Sequence, residues 1–546
     1  MRHVRRQSLI SVLLASGLCA WLMAACGDSG SDGTAENGGG NGASSFDLVI
    51  TNGRVMDPLS GLDAVGAVGV KDGKIVTVTT DQNEAASMAG EAARVLDASG
   101  RVVSPGFINT HTHEGEIQES MKVYVKDGLT TWVGGNCGSS SYPISEYYAE
   151  LEQEGTYNNY ASLTGLNTLR GEVGLDAFME ANEAQIAEMV ELLTVDLEDG
   201  GMGVSFGSYY GPGCTYEEML ATARESALLG GMAASHIRDN LFSVEGVPPF
   251  HLILNAHVLE EAVRTAEEAD IPYLVSHLTD VTYGGGTTGF ALSMVSQAIH
   301  VQGLRMAVDV IGSDSFPNDF FTIARYGDIP LDILIAVAGV DIRDFQVTED
   351  VVIDGQVFMH AYEYCSSVEQ AQSMMDAILA DKTESPGVLC HIIEPANTML
   401  ALAEPFVFIG NDGYVTRNPE TDELDGHPRA AGAFARFIGH WARDMGVMNL
   451  MQTLYKATAA PAIWFGFDNK GRLQAGSDAD IVVFDPDTII DKAQCTPGHF
   501  LDAPEGTDYV IVNGSIVVDH GELTGEKPGR VIRRTWAIPG VFESPW

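Results

Sequence analysis

Hydrophobic and polar positions fall into two textures along the main part of the chain. From Phe46, short Val- and Ile-rich runs ("FDLVITNGRVMDP", "VGVKDGKIVTV", "RVLDASGRVVSPGF") are punctuated by Asn-Gly and Asp-Gly pairs. Such runs predict strands joined by hairpins. The same texture returns in "GRLQAGSDADIVVFDPDTI" and "DYVIVNGSIVVDHGEL". The two ends are therefore expected to pair into one small β-sandwich domain, built from residues 46–106 and 466–546.

Between these ends the period changes. Strand-like "GVSFGSYYGPG" precedes helical "YEEMLATARESALLGG"; then come "GMAASHI", "HVLEEAVRTAEEAD", "IPYLVSHL", "FALSMVSQAIHVQG" and "LRMAVDV". Apolar Val258, Ala262, Val263 and Ala266 recur at helical spacing, with acids between them. Alternating βα units predict a parallel sheet with helices outside. Their number, without a Gly-rich dinucleotide turn, favours a TIM-like (β/α)8 barrel over an open sheet, spanning residues 107–465. Residues near 313–385 are less regular and read as an insertion.

The start of the chain has neither texture. Arg2, Arg5 and Arg6 precede an apolar run, Leu9 to Ala25, that is short for a membrane span. "MAAC" resembles a lipobox, with Cys26 the lipidation site and Met23 in the place of the usual Leu. Residues 1–26 thus read as a lipoprotein signal peptide. Residues 27–45, rich in Gly, Ser, Asp and Asn, read as a flexible tether. The expected location is the cell envelope, periplasmic or surface-facing, with the membrane reached through the lipid anchor only.

Composition narrows the partners. The formal charge is −45, which repels nucleic acid and anionic lipid and leaves a small molecule as the expected ligand. Five cysteines follow Cys26, an odd number at wide spacing, which makes a poor disulfide framework.

In a barrel, functional groups gather where strands end. "GFINTHTH" ends in His111 and His113, "TTWVGGNCG" in Cys137, "GMAASHIRD" in His236, "PYLVSHL" in His277 and "PFVFIGNDG" in Asp412. Side chains two apart on a strand share a face, so His111 and His113 can chelate one cation. Cys137, between glycines, reads as a thiolate ligand, and mixed Cys/His sets suit zinc. Cys214 is the second candidate thiol, while Cys365, Cys390 and Cys495 read as structural. Asp280 and Asp309 also lie near strand ends and read as groups that orient a ligand or cap a turn.

These residues carry a resemblance. From about Phe46 to Asp485 the chain resembles the D-aminoacylase (N-acyl-D-amino-acid deacylase) branch of the metal-dependent amidohydrolase superfamily. "VVSPGFINTHTH" and "LQAGSDADIVVFDP" are similar to the superfamily's opening and closing strands. "VGGNCGSS", "ASHIRDN" and "HPRAAGAFAR" are similar to motifs of this branch. The resemblance implies one tightly bound zinc on Cys137, His236 and His277, and a second, weaker site on His111, His113, Cys137 and Asp412. It implies Asp412 as general base and acid, and Arg429 as the grip on a substrate carboxylate. The implied reaction is zinc-dependent hydrolysis of an N-acyl-D-amino acid to a carboxylate and a D-amino acid. Two departures stand out: Thr279 replaces the branch's usual Lys, and "IGSDSFPND" replaces a Tyr-rich stretch. They keep open a hydrolase of cyclic amides or other C–N bonds, as in dihydroorotases and hydantoinases. A non-catalytic binding lipoprotein fits the unbroken donor set less well.

Overall fold

The computed structural model describes residues 44–238, 251–281, 287–319, 331–332, 341–380, 382–418 and 421–541. The expected signal peptide, Cys26 and all but the last two residues of the tether lie outside the described residues. No helix among the described residues is long and apolar enough to cross a membrane.

The two β-rich ends meet edge to edge. Strand Val102–Pro105 pairs antiparallel with Ile481–Phe484, in register from Val102↔Phe484 to Pro105↔Ile481. Through this pair, strands from both ends join one continuous nine-stranded sheet. Its hairpins follow the local sequence. Asp72-Gly73 turns between Leu62–Lys71 and Lys74–Thr79 with φ of 50° and 76°, and Asn513-Gly514 turns between Thr507–Val512 and Ser515–Asp519 with φ of 46° and 85°. Two successive left-handed residues match the right-handed twist of the flanking strands, and Asn, Asp and Gly adopt that conformation most readily. Leu48, Ile50, Val68, Ile481, Val483 and Ile511 fill one shared core, so sequence ends far apart bury each other's apolar faces.

The middle of the chain forms parallel sheets. Phe107–Asn109, Leu129–Gly134 and Asn159–Ser162 pair in parallel. Thr164–Gly165, Gly203–Gly207, Met232–His236, Tyr273–Val275, Met306–Val310 and Val407–Ile409 form a second parallel set. These strands are buried along their whole length, as strands covered on both faces must be. Their residues alternate between two cores. Ile108, Val133, Ala234, Leu274, Ala307 and Phe408 share one cluster with Trp464. Their neighbours Phe107, Trp132, Ala233, Tyr273, Val308 and Val407 share another with the helices. Intervening helices start where the sequence caps them: Asn182 and Thr215 each close a capping box with Gln185 and Glu218.

Between Met306–Val310 and Val407–Ile409 lies a region with its own small sheet, Phe316–Asp319, Phe345–Val347 and Gly387–Cys390. It is backed by the helix Val368–Leu379, and Val347, Met374, Met375 and Val388 form a core separate from the others.

Candidate metal centre

Each candidate donor sits where a parallel strand gives way to a loop. His236 is the last residue of its strand. His111 and His113 lie just past Phe107–Asn109 rather than within it. The pleat ends there because Asn109 Oδ1 accepts the N–H groups of His111 and Asn411, at 3.3 and 3.1 Å. The alternation expected of a strand therefore does not hold at these histidines, yet both reach one carboxylate. His111 Nε2 lies 3.2 Å and His113 Nε2 3.0 Å from Asp412 Oδ1.

Three donors carry backbone strain. Cys137, His277 and Asp412 have φ of 53°, 32° and 46°. Left-handed conformations outside glycine cost on the order of 1–3 kcal/mol each, and persist where surrounding structure dictates them. Here it does. Gly138 N–H donates to Ser205 Oγ at 3.0 Å, His277 N–H to Asp309 at 2.7 Å and Asp412 N–H to His111 O at 3.0 Å.

The side chains converge. One donor atom each from His111, Cys137, His277 and Asp412 lies within 4.8 Å of every other, and all four residues are buried. Cys137 Sγ is 3.2 Å from His111 Nε2 and 3.5 Å from His277 Nε2. The His236 ring centre is 4.3 Å from that of His277. Arg429 is at the same place, its Nη2 2.9 Å from Asp412 Oδ2 and its Nη1 3.6 Å from Asp280 Oδ2. Cys214, the second candidate thiol, is buried elsewhere: its Sγ faces the Thr215 carbonyl, and its own carbonyl accepts from Arg238.

Electrostatics prepare these groups for a cation. Burial opposes a thiolate at Cys137, yet His111 and hydrogen bonds from His111, His113 and His236 hold its pKa well below the usual thiol range. Burial also opposes the Asp412 carboxylate, but Arg429 and His111 keep it ionised well below the ordinary range. His236 is lowered to about 4 by burial and by neighbouring His277, so its imidazole is neutral, as a ligand must be. Nδ1 of His236 is buried without a hydrogen-bond partner among the described residues, while His277 turns its Nε2 to Cys137. Burial pushes Asp280 up to about 7, against the pull of His277 and Arg429.

Several residues around the centre carry no signal of their own in the sequence. Glu114 accepts from Tyr160 Oη at 2.6 Å and from Ser141 N and Oγ at 3.1 Å, tying the His113 loop to the Cys137 loop. Tyr209 stacks on His236 with ring centres 4.8 Å apart. His427 Nδ1 accepts the Arg429 N–H at 3.2 Å. Only the adjacency of Glu114 to His113, and of His427 to Arg429, hints at these roles.

Comparison with known proteins agrees with this geometry. Residues 357–517 match the model of the amidohydrolase family. The D-aminoacylase of Alcaligenes xylosoxydans xylosoxydans is 30% identical over 531 residues, covering 90% of this chain and 98% of that protein. The chain belongs to the amidohydrolase family, in its D-aminoacylase branch. Two solved structures of this branch superpose with a TM-score of 0.73. One is a D-aminoacylase, at 27% identity over 90% of this chain and 100% of its own. The other is the N-acyl-D-glutamate deacylase of Bordetella bronchiseptica, solved with zinc and a phosphonate mimic of the tetrahedral intermediate, at 26% identity over 89% of this chain and 99% of its own. As an amidohydrolase, the chain is a hydrolase of carbon–nitrogen bonds other than peptide bonds, and the buried cluster at its strand ends is a metal-binding arrangement.

Proposed function

We propose that the protein hydrolyses N-acyl-D-amino acids to a carboxylate and a D-amino acid, using zinc. The observation that carries this is the convergence of buried thiolate, imidazole and carboxylate donors beside a buried guanidinium. Cys137, His236 and His277 would hold the tight zinc, and His111, His113, Cys137 and Asp412 a weaker second one. Mixed sulfur and nitrogen donors suit that ion. Zinc supplies a Lewis acid that brings the pKa of water toward neutrality and polarises an amide carbonyl.

The protein's own groups do the rest. Asp412 takes the proton of the attacking water at its carboxylate and returns it to the departing nitrogen, which otherwise leaves as a poor amide anion. Asp309 faces Nδ1 of His111 at 3.2 Å, directing Nε2 into the cluster. Arg429 binds the substrate carboxylate, for which a guanidinium offers paired donors. Counting zinc in the purified protein while assaying N-acyl-D-amino acids, N-acyl-L-amino acids and cyclic imides tests the reading. Turnover of cyclic imides alone would refute it.

We further propose that the two parallel sheets are arcs of one (β/α)8 barrel over residues 107–465, carrying the insertion near 313–385. A break at Leu163 separates Asn159–Ser162 from Thr164–Gly165. Across the remaining gap, Asn109 Nδ2 donates to Asn411 Oδ1 at 2.8 Å and His113 N–H to Gly413 O at 3.0 Å. The nine-stranded sheet, folded over its shared core, would be the β-sandwich of residues 46–106 and 466–546. A crystal structure with Phe107–Asn109 and Val407–Ile409 on opposite sides of an open sheet would reject this. Export, with Cys26 lipidated, is proposed from the sequence; Cys26→Ala should move the protein from the membrane pellet to the soluble fraction.

A further inference from the structure

Arg429 is buried, and two carboxylates approach the same end of its guanidinium. Nη2 lies 2.9 Å from Asp412 Oδ2, and Nη1 lies 3.6 Å from Asp280 Oδ2. A guanidinium facing a single carboxylate tends to fork it with two parallel hydrogen bonds. This one is shared between two carboxylates instead. Its Nε and Nη1 are both left without a hydrogen-bond partner among the described residues, Asp280 facing Nη1 only as an ion pair. An unpaired buried donor is costly, and more so on a charged group. A fold that tolerates this cost beside the donor cluster has a use for the unpaired nitrogens.

Asp280 is held in turn. Thr279 Oγ1 donates to its Oδ1 at 3.3 Å, and both residues are buried. Asp280 follows His277 by three positions, so the short run His277 to Asp280 supplies one metal-type donor, a hydroxyl prop and a carboxylate facing Arg429.

We propose that Asp280 is a positioning residue: its ion pair with Nη1 keeps Arg429 from forking Asp412 and leaves the Nε edge for the carboxylate of a ligand. The inference rests on the proposed deacylase reading for the identity of that ligand. Asp280 thereby does two things. It leaves Asp412 free to handle a proton, and it sets the preference for substrates that carry a carboxylate next to the scissile amide.

Simple charge bookkeeping predicts the reverse. Asp280 is an anion close to where another anion binds, so its removal should tighten carboxylate binding. The two accounts differ in sign, which makes the test sharp. Full-length zinc-loaded protein is titrated calorimetrically with D-leucine and with D-leucinamide, which lacks the carboxylate. Asp280→Asn is expected to weaken D-leucine about tenfold, the loss of one charge-assisted contact. It should leave D-leucinamide binding and zinc content as they were. In an Arg429→Ala background the same substitution should change D-leucine binding no further.

The inference is overturned if Asp280→Asn binds D-leucine as tightly as wild type or more tightly, or if it weakens both ligands alike. Loss of zinc, an undiminished effect without Arg429, or no D-leucine binding to the wild type would overturn it as well. Intact D-leucine binding with no hydrolysis of N-acetyl-D-leucine sinks the deacylase reading and leaves the role of Asp280 standing.

Discussion

Asp309 accepts the backbone N–H of His277 at 2.7 Å from the penultimate position of a parallel strand. The same carboxylate faces Nδ1 of His111 at 3.2 and 3.3 Å, so one buried acid fixes the positions of two donors. Partners that orient metal ligands in this way typically account for 10–100-fold in metal affinity. Asp309→Asn should therefore weaken zinc binding by roughly that factor. Competition with a chromophoric chelator measures it, and an unchanged zinc affinity would show that Asp309 serves folding alone.

Glu114 makes a parallel case from outside the donor set. Its carboxylate joins Tyr160 and Ser141, and so couples the loop after His113 to the loop after Cys137. Glu114→Ala leaves a buried tyrosine hydroxyl and a backbone N–H without an acceptor, at about 1–3 kcal/mol each. Chemical denaturation should report the loss of stability. Zinc release on dilution should be faster than in wild type, because the two loops no longer hold each other.

Cys137 has no spare role to hide behind. It contacts His111 and His277, and the other cysteines described form no disulfide and lie elsewhere, with Cys495 near Ser315 and His427. Cys137→Ala should lower zinc content and abolish amide hydrolysis. Full activity in this variant would refute its assignment as a ligand.

The sequence shows the donors because chemistry confines them to few residue types at strand ends. His111, Cys137, His236, His277 and Asp412 each follow an apolar run, and the structure gathers them at one place. Hairpins at Asp72-Gly73 and Asn513-Gly514 were equally legible, since few residues take two left-handed positions in a row. What stays hidden are contacts set by distance in space rather than in the chain. Asp309 reaches back 198 positions to His111, and Arg429 meets Asp280 and Asp412 only after three loops close together. The exit of His111 and His113 from the strand also has no local mark, because it depends on Asn109 bonding to Asn411 across the fold.

Lys456 gives stability a dependence on pH. Its ammonium is buried and donates to the carbonyls of Glu404 and Val407, the latter at 2.9 Å. Burial lowers its pKa from 10.5 to about 7, with Glu404 opposing. In the unfolded chain the amine keeps its ordinary value, so between about pH 7 and 10.5 the unfolded state binds more protons than the folded one. Stability then rises with pH across that window and levels off below it. The whole shift corresponds to on the order of 5 kcal/mol. Urea unfolding of wild type and Lys456→Met across this range should give a rising difference that the variant lacks; parallel curves would show that the buried amine stays protonated.

Asp412 offers the most discriminating substitution at the centre itself. Asn has the same shape and tolerates the left-handed backbone that Asp412 adopts at φ 46°, so Asp412→Asn should fold. It cannot accept a proton, and it presents a neutral amide to Arg429 and His113. If Asp412 moves the proton while Cys137, His236 and His277 hold the tight zinc, the variant keeps that zinc and loses about 10²–10⁴ in kcat. Metal analysis and steady-state kinetics on one preparation separate the roles. A drop of only severalfold would remove Asp412 from proton transfer. Complete loss of zinc would make it a ligand of the tight site, in contrast to the proposed division between the two sites.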